Sequence, residues 1–338
     1  MKSLTVVFPE KQKAELTERE LEPLKPDQVL FKADKSLIST GTETICLNGV
    51  FDPGTNWHEW VKYPFLPGYA ISGEVLETGS EVKSLKPGDR VYSERSHMQY
   101  VTESEDSLIK IPDEVSCEHS TWIALGRVAQ NAVRAGNIQM GDTAAVIGAG
   151  QVGLLAMQFI RICGATRIIA IDPIEHRAKL ALECGATDYF AGTAADAAKY
   201  ICELTEGRMA DIVCEATGHP AVLSPACVLA RKNGKIILVG DTSVPSQQAL
   251  GPGVVSNYLK IIGAHGAMSS DADNPFYPWT RKYVNQTTMT YIIQNRLNLD
   301  PLVSHRISPF QAPDFYMRLL KDRSFAVGVI IDWALIND

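Results

Sequence analysis

The chain has 338 residues, which is long for a single hydrophobic core, so two domains are expected. Apolar residues make up 45% of it and charged residues 21%, and the net charge of −7 gives no reason to expect nucleic acid or an anionic membrane as a partner. The sequence holds no apolar run of about 18 residues and no signal-peptide core, so the cytoplasm is the expected location.

Residues 1–120 carry short β signals interrupted by Gly and Pro. Predicted strands cover residues 28–33, 71–76 and 89–92. The Lys86-Pro87-Gly88-Asp89 segment is a predicted turn, because proline presets φ and glycine tolerates positive φ. This part of the chain is expected to form a β-rich domain.

Residues 121–267 show a different pattern, in which strands alternate with longer helical runs such as 177–183. The predicted strands are 144–147, 167–171, 211–213 and 235–239. This alternation indicates a doubly wound parallel sheet, and hence an α/β protein. The last part of the chain is mixed, with a predicted helix at 312–321 and a predicted strand at 326–332.

The seven cysteines are scattered and form no Cys-x-x-Cys pair. Several fall inside predicted strands or helices. They are interpreted as small reduced core residues rather than as a disulfide framework or a zinc ribbon.

Residues 148–153 have Gly-x-Gly-x-x-Gly spacing between a predicted strand and a predicted helix. Gly148 permits the tight turn, Gly150 lets the backbone approach a pyrophosphate, and Gly153 lets helix and strand pack closely. The helix N-terminus at Gln151 and Val152 faces the phosphate charge. Strand, fingerprint and helix in this order predict a dinucleotide site, the alternative being a glycine-rich turn without a ligand.

Asp172 ends the next predicted strand, nineteen residues after Gly153. Its carboxylate would accept hydrogen bonds from the adenosine ribose hydroxyls and repel a 2′-phosphate. The expected cofactor is therefore NAD rather than NADP. Arg177, on the following predicted helix, is counted among the candidate cofactor-binding residues.

These motifs together resemble the medium-chain dehydrogenase/reductase superfamily over nearly the whole chain. The matching residues are Gly73, Val75, Gly79, Val82 and 88–91 in its GroES-like domain, 148–153, Asp172 and 184–186 in its Rossmann domain, and 302–307 at its C-terminal return. Residues 36–43 are similar to a segment in the branch that contains bacteriochlorophyllide hydroxyethyl dehydrogenase.

The resemblance implies a GroES-like catalytic domain at 1–120, a Rossmann NAD-binding domain at 121–267 and a return to the catalytic domain at 268–338. It also implies a cleft with nicotinamide at its floor, and a homodimer or homotetramer joined through the cofactor domains. Further residues along the cofactor, at strand ends, would be Ala216, Thr217, Val239 and Gly240.

Zinc members of this superfamily take a catalytic metal from three positions, and this sequence departs at all three. It has Ser39, Tyr69 and the apolar segment 123–125 there, and none of these supplies a zinc ligand. Cys46 and the His58-Glu59 dipeptide are alternatives, but both are displaced from the ligand positions. No metal is therefore expected.

Without a metal, side chains must take the hydroxyl proton and stabilise the alkoxide. Tyr69 stands at the position of the family's histidine ligand, and its pKa near 10 would need lowering. Glu43, after the turn that holds Ser39 and Thr40, could act as a base, and His97 could relay protons. The structural alternatives are an aromatic that fills the vacated pocket, a helix first-turn carboxylate and a packed histidine, respectively.

Two segments mix aromatic and polar residues, 56–60 and 274–282. Trp57, His58 and Trp279 are the candidate substrate residues, because aromatic faces stack on sugar rings while polar groups bind hydroxyls. The composition suits a sugar, glycoside or polyol, and equally a tetrapyrrole. The alternative is that these aromatics stabilise loops or an oligomer interface.

The preferred interpretation is a zinc-independent, NAD-dependent oxidoreductase acting on a secondary alcohol of a sugar-like or other cyclic substrate. Three other enzymes stay open: an NADPH-dependent enone or quinone reductase, a redox-neutral NAD-assisted lyase or epimerase, and a tetrapyrrole side-chain alcohol dehydrogenase. A dinucleotide-binding protein without turnover is the alternative from another class.

Overall fold

The computed structural model describes residues 1–266, 271 and 278–336. The strands of these residues are β1 (Lys2–Val7), β2 (Glu15–Glu20), β3 (Gln28–Ile38), β4 (Ile71–Thr78), β5 (Arg90–Ser93), β6 (Tyr100–Ser104), β7 (Ile109–Lys110), β8 (Thr143–Ile147), β9 (Arg167–Asp172), β10 (Asp188–Ala191), β11 (Ala210–Glu215), β12 (Ala230–Leu238), β13 (Lys260–Gly263), β14 (Val303–Ile307) and β15 (Gly328–Asp332).

The helices of the described residues are α1 (Thr42–Asn48), α2 (Asn56–Trp60), α3 (Cys117–Ser120), α4 (Ile123–Gly136), α5 (Gln151–Ile162), α6 (Glu175–Glu183), α7 (Ala197–Leu204), α8 (Leu223–Leu229), α9 (Arg281–Ile293) and α10 (Ala312–Lys321). The chain divides into two compact units. The first unit contains Met1–Val50, Gly54–Ala124 and Val303–Asp338, and the second contains Phe51–Pro53 and Leu125–Leu302.

The first unit is built on a mixed sheet with the order β14-β15-β3-β4-β5-β7, in which β6 also pairs with β3. Its pairs are antiparallel except β14 with β15. Along β3 the side chains of Val29, Phe31 and Ala33 are buried and alternate with partly exposed residues. This two-residue period places one face of β3 against the core. The predicted β-rich domain and its three strands are confirmed.

The second unit contains a fully parallel sheet with the order β10-β9-β8-β11-β12-β13. This is the doubly wound order. Successive strands are added outward on one side of β8 and then on the other, so the order of strands reverses between β8 and β11. The central strands are almost continuously apolar and buried, as expected for strands covered on both faces. The predicted Rossmann sheet is confirmed, and the carboxyl ends of β8 and β11 mark where a ligand is expected.

The boundary between the units differs from the expected one at the C-terminal side. The return to the first unit was expected from residue 268, but the chain stays with the second unit until Leu302. Helix α9 packs against α4 through polar contacts, because Gln130 Nε2 donates to Thr288 Oγ1 at 2.6 Å and Arg127 donates to Asn285 Oδ1 at 3.2 Å. Residue periodicity could not reveal these contacts between distant helices.

All seven cysteines lie among the described residues, and all are free. Five are buried, as expected, but Cys163 and Cys202 are exposed. Within the described parts of the chain, no helix is both long enough and apolar enough to cross a membrane.

Candidate active site

The glycine fingerprint of the second unit forms a tight turn between β8 and α5. Gly148 has a φ of +95°, which an L side chain rarely adopts. A Cβ on Gly153 would lie 1.9 Å from the Gly148 carbonyl oxygen, so helix and turn can approach only because residue 153 has no side chain. These two positions meet the conformational requirements expected of the fingerprint.

The space in front of the fingerprint is open. Gly150 caps the N-terminus of α5, and a Cβ built on it would meet no atom within 4 Å. Gln151 is buried at the start of α5, while Val152 keeps some exposure. An open cradle at the N-terminus of a twelve-residue helix fits the pyrophosphate of a dinucleotide.

Asp172 lies beside this turn at the end of β9. Its Oδ2 accepts a hydrogen bond from the Ala149 backbone N–H at 2.8 Å, and its Oδ1 accepts one from Ile174 N–H at 2.8 Å. The residue is 4% exposed. Each carboxylate oxygen has a second lone pair, so the acid is held in place and can still accept from a ribose hydroxyl. Arg177 is partly buried in the first turn of α6, which begins at Glu175.

A second turn lies next to the fingerprint, after β11. Thr217 Cγ2 is 2.8 Å from where a Gly148 Cβ would be, so Thr217 packs on the fingerprint. The buried Glu215 holds this turn, because its Oε1 accepts from Thr217 N–H at 2.6 Å, from the Thr217 hydroxyl and from Gly218 N–H. The Glu215 carbonyl accepts from Val239 and Gly240 N–H at 2.9 and 3.1 Å. The predicted residues Ala216, Thr217, Val239 and Gly240 thus surround one carboxyl end of the sheet.

In the first unit, several hydroxyl-bearing side chains lie at and beside the positions that the family resemblance assigns to metal ligands. Tyr69 is partly exposed, and its hydroxyl donates to Thr42 Oγ1 at 3.5 Å. Burial raises the pKa of Tyr69 to about 12, although hydrogen bonds with the Ser39 and Thr42 side chains act against this shift. Thr40 is 8% exposed, and its hydroxyl donates to the Val327 carbonyl. The pKa of Tyr69 is therefore raised, not lowered, in the protein alone.

The side chains of this region do not fit a zinc ion. Hydroxyls of serine, threonine and tyrosine are not the thiolate, imidazole or carboxylate ligands that zinc prefers. Cys46 is fully buried, and burial raises the pKa of its thiol. The His58 side chain is 49% exposed and contacts the exposed Glu59 at 3.2 Å. Nowhere in residues 1–266, 271 and 278–336 do three His, Cys, Asp or Glu side chains form a potential metal site.

Glu43 and His97 form a buried pair in the first unit. His97 Nε2 lies 3.1 Å from Glu43 Oε2, and the two residues are 0% and 1% exposed, respectively. Glu43 Oε1 accepts from Ser39 N–H at 2.8 Å, while Oε2 also accepts from the Tyr316 hydroxyl. The structure thus brings Ser39, Glu43 and His97 together. Neither member of the pair has a surface that a substrate could touch.

The three candidate substrate residues differ in exposure and in the contacts they make within their own units. Trp57 is only 5% exposed and contacts Trp60, with ring centroids 6.1 Å apart. His58 points to solvent. Trp279 stacks under the Arg134 guanidinium at 3.4 Å and beside Tyr283 at 5.2 Å. These contacts agree with the alternative in which the aromatics stabilise local structure. Residues 274–277 of the second aromatic segment lie outside the described residues.

Sequence reasoning did not single out Thr42, Glu215 or Tyr316 as site residues. Two of them carried weak sequence signals of a site role. Thr42 lies in the turn already considered, and Glu215 is an acidic residue at the end of an apolar strand. Tyr316 had no signal, because it belongs to an ordinary amphipathic helix 273 residues from its partner Glu43.

A doubly wound sheet with an intact dinucleotide fingerprint, together with a GroES-like unit, defines a nucleotide-dependent oxidoreductase. The family described as "Alcohol dehydrogenase GroES-like domain" matches residues 32–133, and the one described as "Zinc-binding dehydrogenase" matches residues 152–279. The chain belongs to the medium-chain dehydrogenase/reductase superfamily.

Curated relatives in this superfamily carry names of alcohol and sugar dehydrogenases. The D-guloside 3-dehydrogenase of Escherichia coli is 28% identical over 273 residues, which cover 78% of this chain and 77% of the relative. The L-threonine 3-dehydrogenase of Bacillus licheniformis is 31% identical over 249 residues, covering 62% of this chain and 70% of the relative.

Solved structures show the same fold. An oxidoreductase/dehydrogenase of unknown specificity from Escherichia coli superposes with a TM-score of 0.82 at 22% identity, covering 98% of this chain and 99% of its own. The 2R,3R-butanediol dehydrogenase of Bacillus subtilis gives a TM-score of 0.79 at 23% identity, with 98% and 99% covered, respectively.

Proposed function

We propose that this protein is a zinc-independent, NAD-dependent dehydrogenase that oxidises a secondary alcohol on a sugar, glycoside, polyol or other cyclic substrate. The observation that carries this proposal is the Tyr69–Thr42–Ser39 hydroxyl cluster in the first unit, in a chain whose dinucleotide fingerprint is intact. The cluster offers proton donors and acceptors but no metal ligands.

The cofactor preference rests on Asp172. Its buried carboxylate lies beside the fingerprint turn, where it would accept from the ribose hydroxyls of NAD and repel the 2′-phosphate of NADP. Among similar structures, one from Sinorhizobium meliloti is bound to NADP and one from Escherichia coli is complexed with NADH. The acid therefore favours NAD over NADP as the cofactor of this chain.

Tyr69 is the proposed proton-transferring residue. When bound, NAD accepts a hydride from the alcohol carbon. Because the pKa of Tyr69 is raised to about 12, the residue is a neutral O–H donor at physiological pH. It is therefore suited to hydrogen-bond the substrate oxygen and to give a proton to a developing alkoxide in carbonyl reduction. In alcohol oxidation the phenol must first lose its own proton to solvent, and the phenolate then accepts the proton of the alcohol. Ser39 and Thr42 orient its hydroxyl.

The substrate class is drawn from the relatives. Their names include a guloside, a threonine, a butanediol and a sorbitol dehydrogenase, all acting on hydroxyl-bearing small molecules. An enone or quinone reductase remains the second candidate, but it is disfavoured by Asp172, since NADPH enzymes avoid an acid at the 2′-phosphate.

The proposal includes a homo-oligomer joined through the second unit. Strand β13 is at the edge of the parallel sheet, and among the described strands it pairs only with β12. The preceding segment exposes Val255 by 85% and Tyr258 by 64%. An edge strand with exposed apolar neighbours favours pairing with a second copy. Light scattering coupled to gel filtration distinguishes a monomer from a dimer or tetramer.

The first experiment measures NAD⁺ reduction across sugars, glycosides, polyols and cyclic alcohols, with and without a strong chelator. Metal content of the purified protein is measured in parallel. Chelator-resistant turnover by metal-free protein on one substrate class would support the proposal. Turnover that needs bound zinc would contradict its metal-free part, and tighter binding of NADP than of NAD would contradict its cofactor part.

A further inference from the structure

A continuous chain of polar side chains is buried in the first unit. Trp333 Nε1 donates to Ser36 Oγ at 2.9 Å, and Ser36 Oγ lies 2.9 Å from His97 Nδ1. His97 Nε2 lies 3.1 Å from Glu43 Oε2, which the Tyr316 hydroxyl also contacts. Each of the five residues is at most 1% exposed. Buried polar groups at this density need a consistent set of donors and acceptors.

Counting hydrogens fixes the direction of every bond in this chain. The indole N–H of Trp333 can only donate, so Ser36 Oγ accepts from it. The single hydroxyl hydrogen of Ser36 is then available to His97 Nδ1, and this bond forms when Nδ1 is an unprotonated acceptor. A neutral imidazole carries its hydrogen on Nε2 and donates it to Glu43, which is therefore an accepting carboxylate.

The opposite assignment leaves a buried group unsatisfied. An imidazolium at His97 would direct an Nδ1–H at Ser36 Oγ, which already accepts from Trp333. The Ser36 hydrogen would then have no acceptor among the described residues. A buried donor without a partner costs about 1–3 kcal/mol, so the neutral imidazole is the favoured state.

The buried pair holds Tyr69 from two sides. Glu43 Oε1 binds the backbone of Ser39, whose turn carries the hydroxyls beside Tyr69. The ring of His97 packs on Gly68, where a Cβ would approach the ring carbons to 2.7 Å and where φ is +98°. Gly68 directly precedes Tyr69 in the chain. Displacement of either member of the pair would therefore shift the phenol.

We propose that Tyr316, Ser36 and Trp333 are positioning residues that hold His97 as the Nε2-protonated imidazole and Glu43 as a carboxylate, so that the pair fixes Tyr69 without exchanging protons with substrate. The inference rests on the proposed function only in the role it gives to Tyr69. Other titratable or charged groups facing the pair are Cys46 on α1, Tyr69 itself, and Arg323, which contacts Thr44 beside Glu43.

The first test is independent of turnover. Full-length protein labelled with ¹⁵N in histidine is studied by long-range ¹H–¹⁵N correlation spectra from pH 6 to pH 9. The signals of His97 are assigned as those missing from the spectrum of His97→Asn. We expect a neutral ring with hydrogen on Nε2 throughout. A ring that becomes doubly protonated in this range, or carries its hydrogen on Nδ1, would overturn the proposal even if the substrate is never found.

The second test compares two tyrosine variants. Tyr316→Phe removes a donor from the Glu43 carboxylate, whereas Tyr63→Phe removes a hydroxyl that donates to the Cys46 carbonyl on the same helix. For Tyr316→Phe we expect kcat to fall about 10-fold with NAD affinity unchanged, and for Tyr63→Phe only a lower Tm. Equal kcat values for the two variants would reduce Tyr316 to a purely structural role.

If Tyr316→Phe does not fold, Trp333→Phe takes its place in the kinetic test, and the wild-type spectrum still decides the protonation state. Tyr69→Phe separates the two proposals. Full turnover by that variant would refute the role of Tyr69 in catalysis and leave the protonation of the buried pair standing.

Discussion

The two units hold their key carboxylates in different ways. In the second unit, Asp172 is bound by backbone N–H groups that lie 23 and 2 residues away in the chain. In the first unit, Glu43 accepts one hydrogen bond from the Ser39 backbone four residues away, but its other two partners are side chains that lie 54 and 273 residues away. One carboxylate depends on the conformation of short motifs, while the other depends on the packing of the whole unit.

This difference shows which kind of site can be recognised from the sequence. A backbone-bound carboxylate needs particular turns, and those turns require glycines at fixed spacing that can be seen in the sequence. A side-chain-bound carboxylate needs only that suitable residues meet in the folded unit, and many spacings achieve that. The two sites should therefore fail differently when their residues are changed.

The largest effect is expected for Glu43→Ala. The change leaves three buried neutral donors, on His97, Tyr316 and Ser39, without an acceptor at about 1–3 kcal/mol each, so the free energy of unfolding should fall by about 3–5 kcal/mol. Urea unfolding measures it. Glu105→Ala is the matched control, because Glu105 also accepts several hydrogen bonds but is partly exposed. If Glu43→Ala lowers the free energy of unfolding no more than Glu105→Ala does, burial adds nothing to the stabilisation that these hydrogen bonds provide.

Two glycine variants test the second unit. Gly150→Ala places a methyl group in the open cradle without strain, so NAD affinity should fall on the order of 100-fold while Tm is kept. Gly153→Ala forces its Cβ against the Gly148 carbonyl, so both NAD affinity and Tm should fall. Calorimetric titration and thermal unfolding give both quantities. Unchanged NAD affinity in Gly150→Ala would show that the pyrophosphate does not bind in this cradle.

Tyr69→Phe should separate catalysis from folding. Loss of one hydrogen-bond donor to a developing alkoxide costs about 100-fold in kcat, while Tm and NAD affinity should be preserved. Because the pKa of Tyr69 is raised to about 12, alcohol oxidation by the wild type should still increase with pH above 8, and carbonyl reduction should not. A flat profile for oxidation between pH 8 and pH 10 would argue against the phenol as base.

The smallest effects are expected from two acids on the same strand. Asp211 is the second residue of β11, and Glu215 is the last. Burial would raise the pKa of Asp211, but the Thr143 N–H and the guanidinium groups of Arg231 and Arg208 lower it overall. Burial raises the pKa of Glu215, for which none of the described residues supplies a cation to oppose this shift. The two acids should therefore give opposite pH dependences of stability.

The signs follow from proton uptake in the folded and unfolded chains. Asp211 stabilises the fold above the unfolded carboxyl pKa of about 3.9, and this contribution is lost as the pH falls. Glu215 keeps its proton longer when folded, so its contribution decreases as the pH rises above about 4.3. Relative to wild type, Asp211→Asn should therefore gain stability on acidification and Glu215→Gln on alkalinisation. Urea midpoints at pH 4, 5.5 and 7.5 measure both, and differences that do not change with pH would contradict these signs.

Much of the fold could be predicted from the sequence, for reasons visible in particular elements. Strand β8 and helix α5 carry their periodicity and their turn glycines within a few residues, and α10 has the bounds that its pattern predicts. The fingerprint and Asp172 follow from the same local signals. The expectation that Ser39 and Tyr69 stand where the family has metal ligands also came from the sequence, because a neighbouring motif marks each position.

The remaining features depend on long-range packing. Nothing near Glu43 indicates that Tyr316 and His97 bind it, and nothing near Trp57 indicates that its ring is buried rather than presented to a substrate. The raised pKa of Tyr69 likewise comes from desolvation by the folded unit, which local sequence does not report. Side-chain roles were therefore harder to predict than backbone geometry.

Asp172 has a consequence for anyone who wishes to engineer this enzyme. Its two oxygens already join the fingerprint turn, through Ala149, to the start of α6, through Ile174. Replacing it to admit a phosphorylated cofactor would therefore detach both segments at once. A successful change of coenzyme would need substitutions that supply new acceptors for those two N–H groups before the acid is removed.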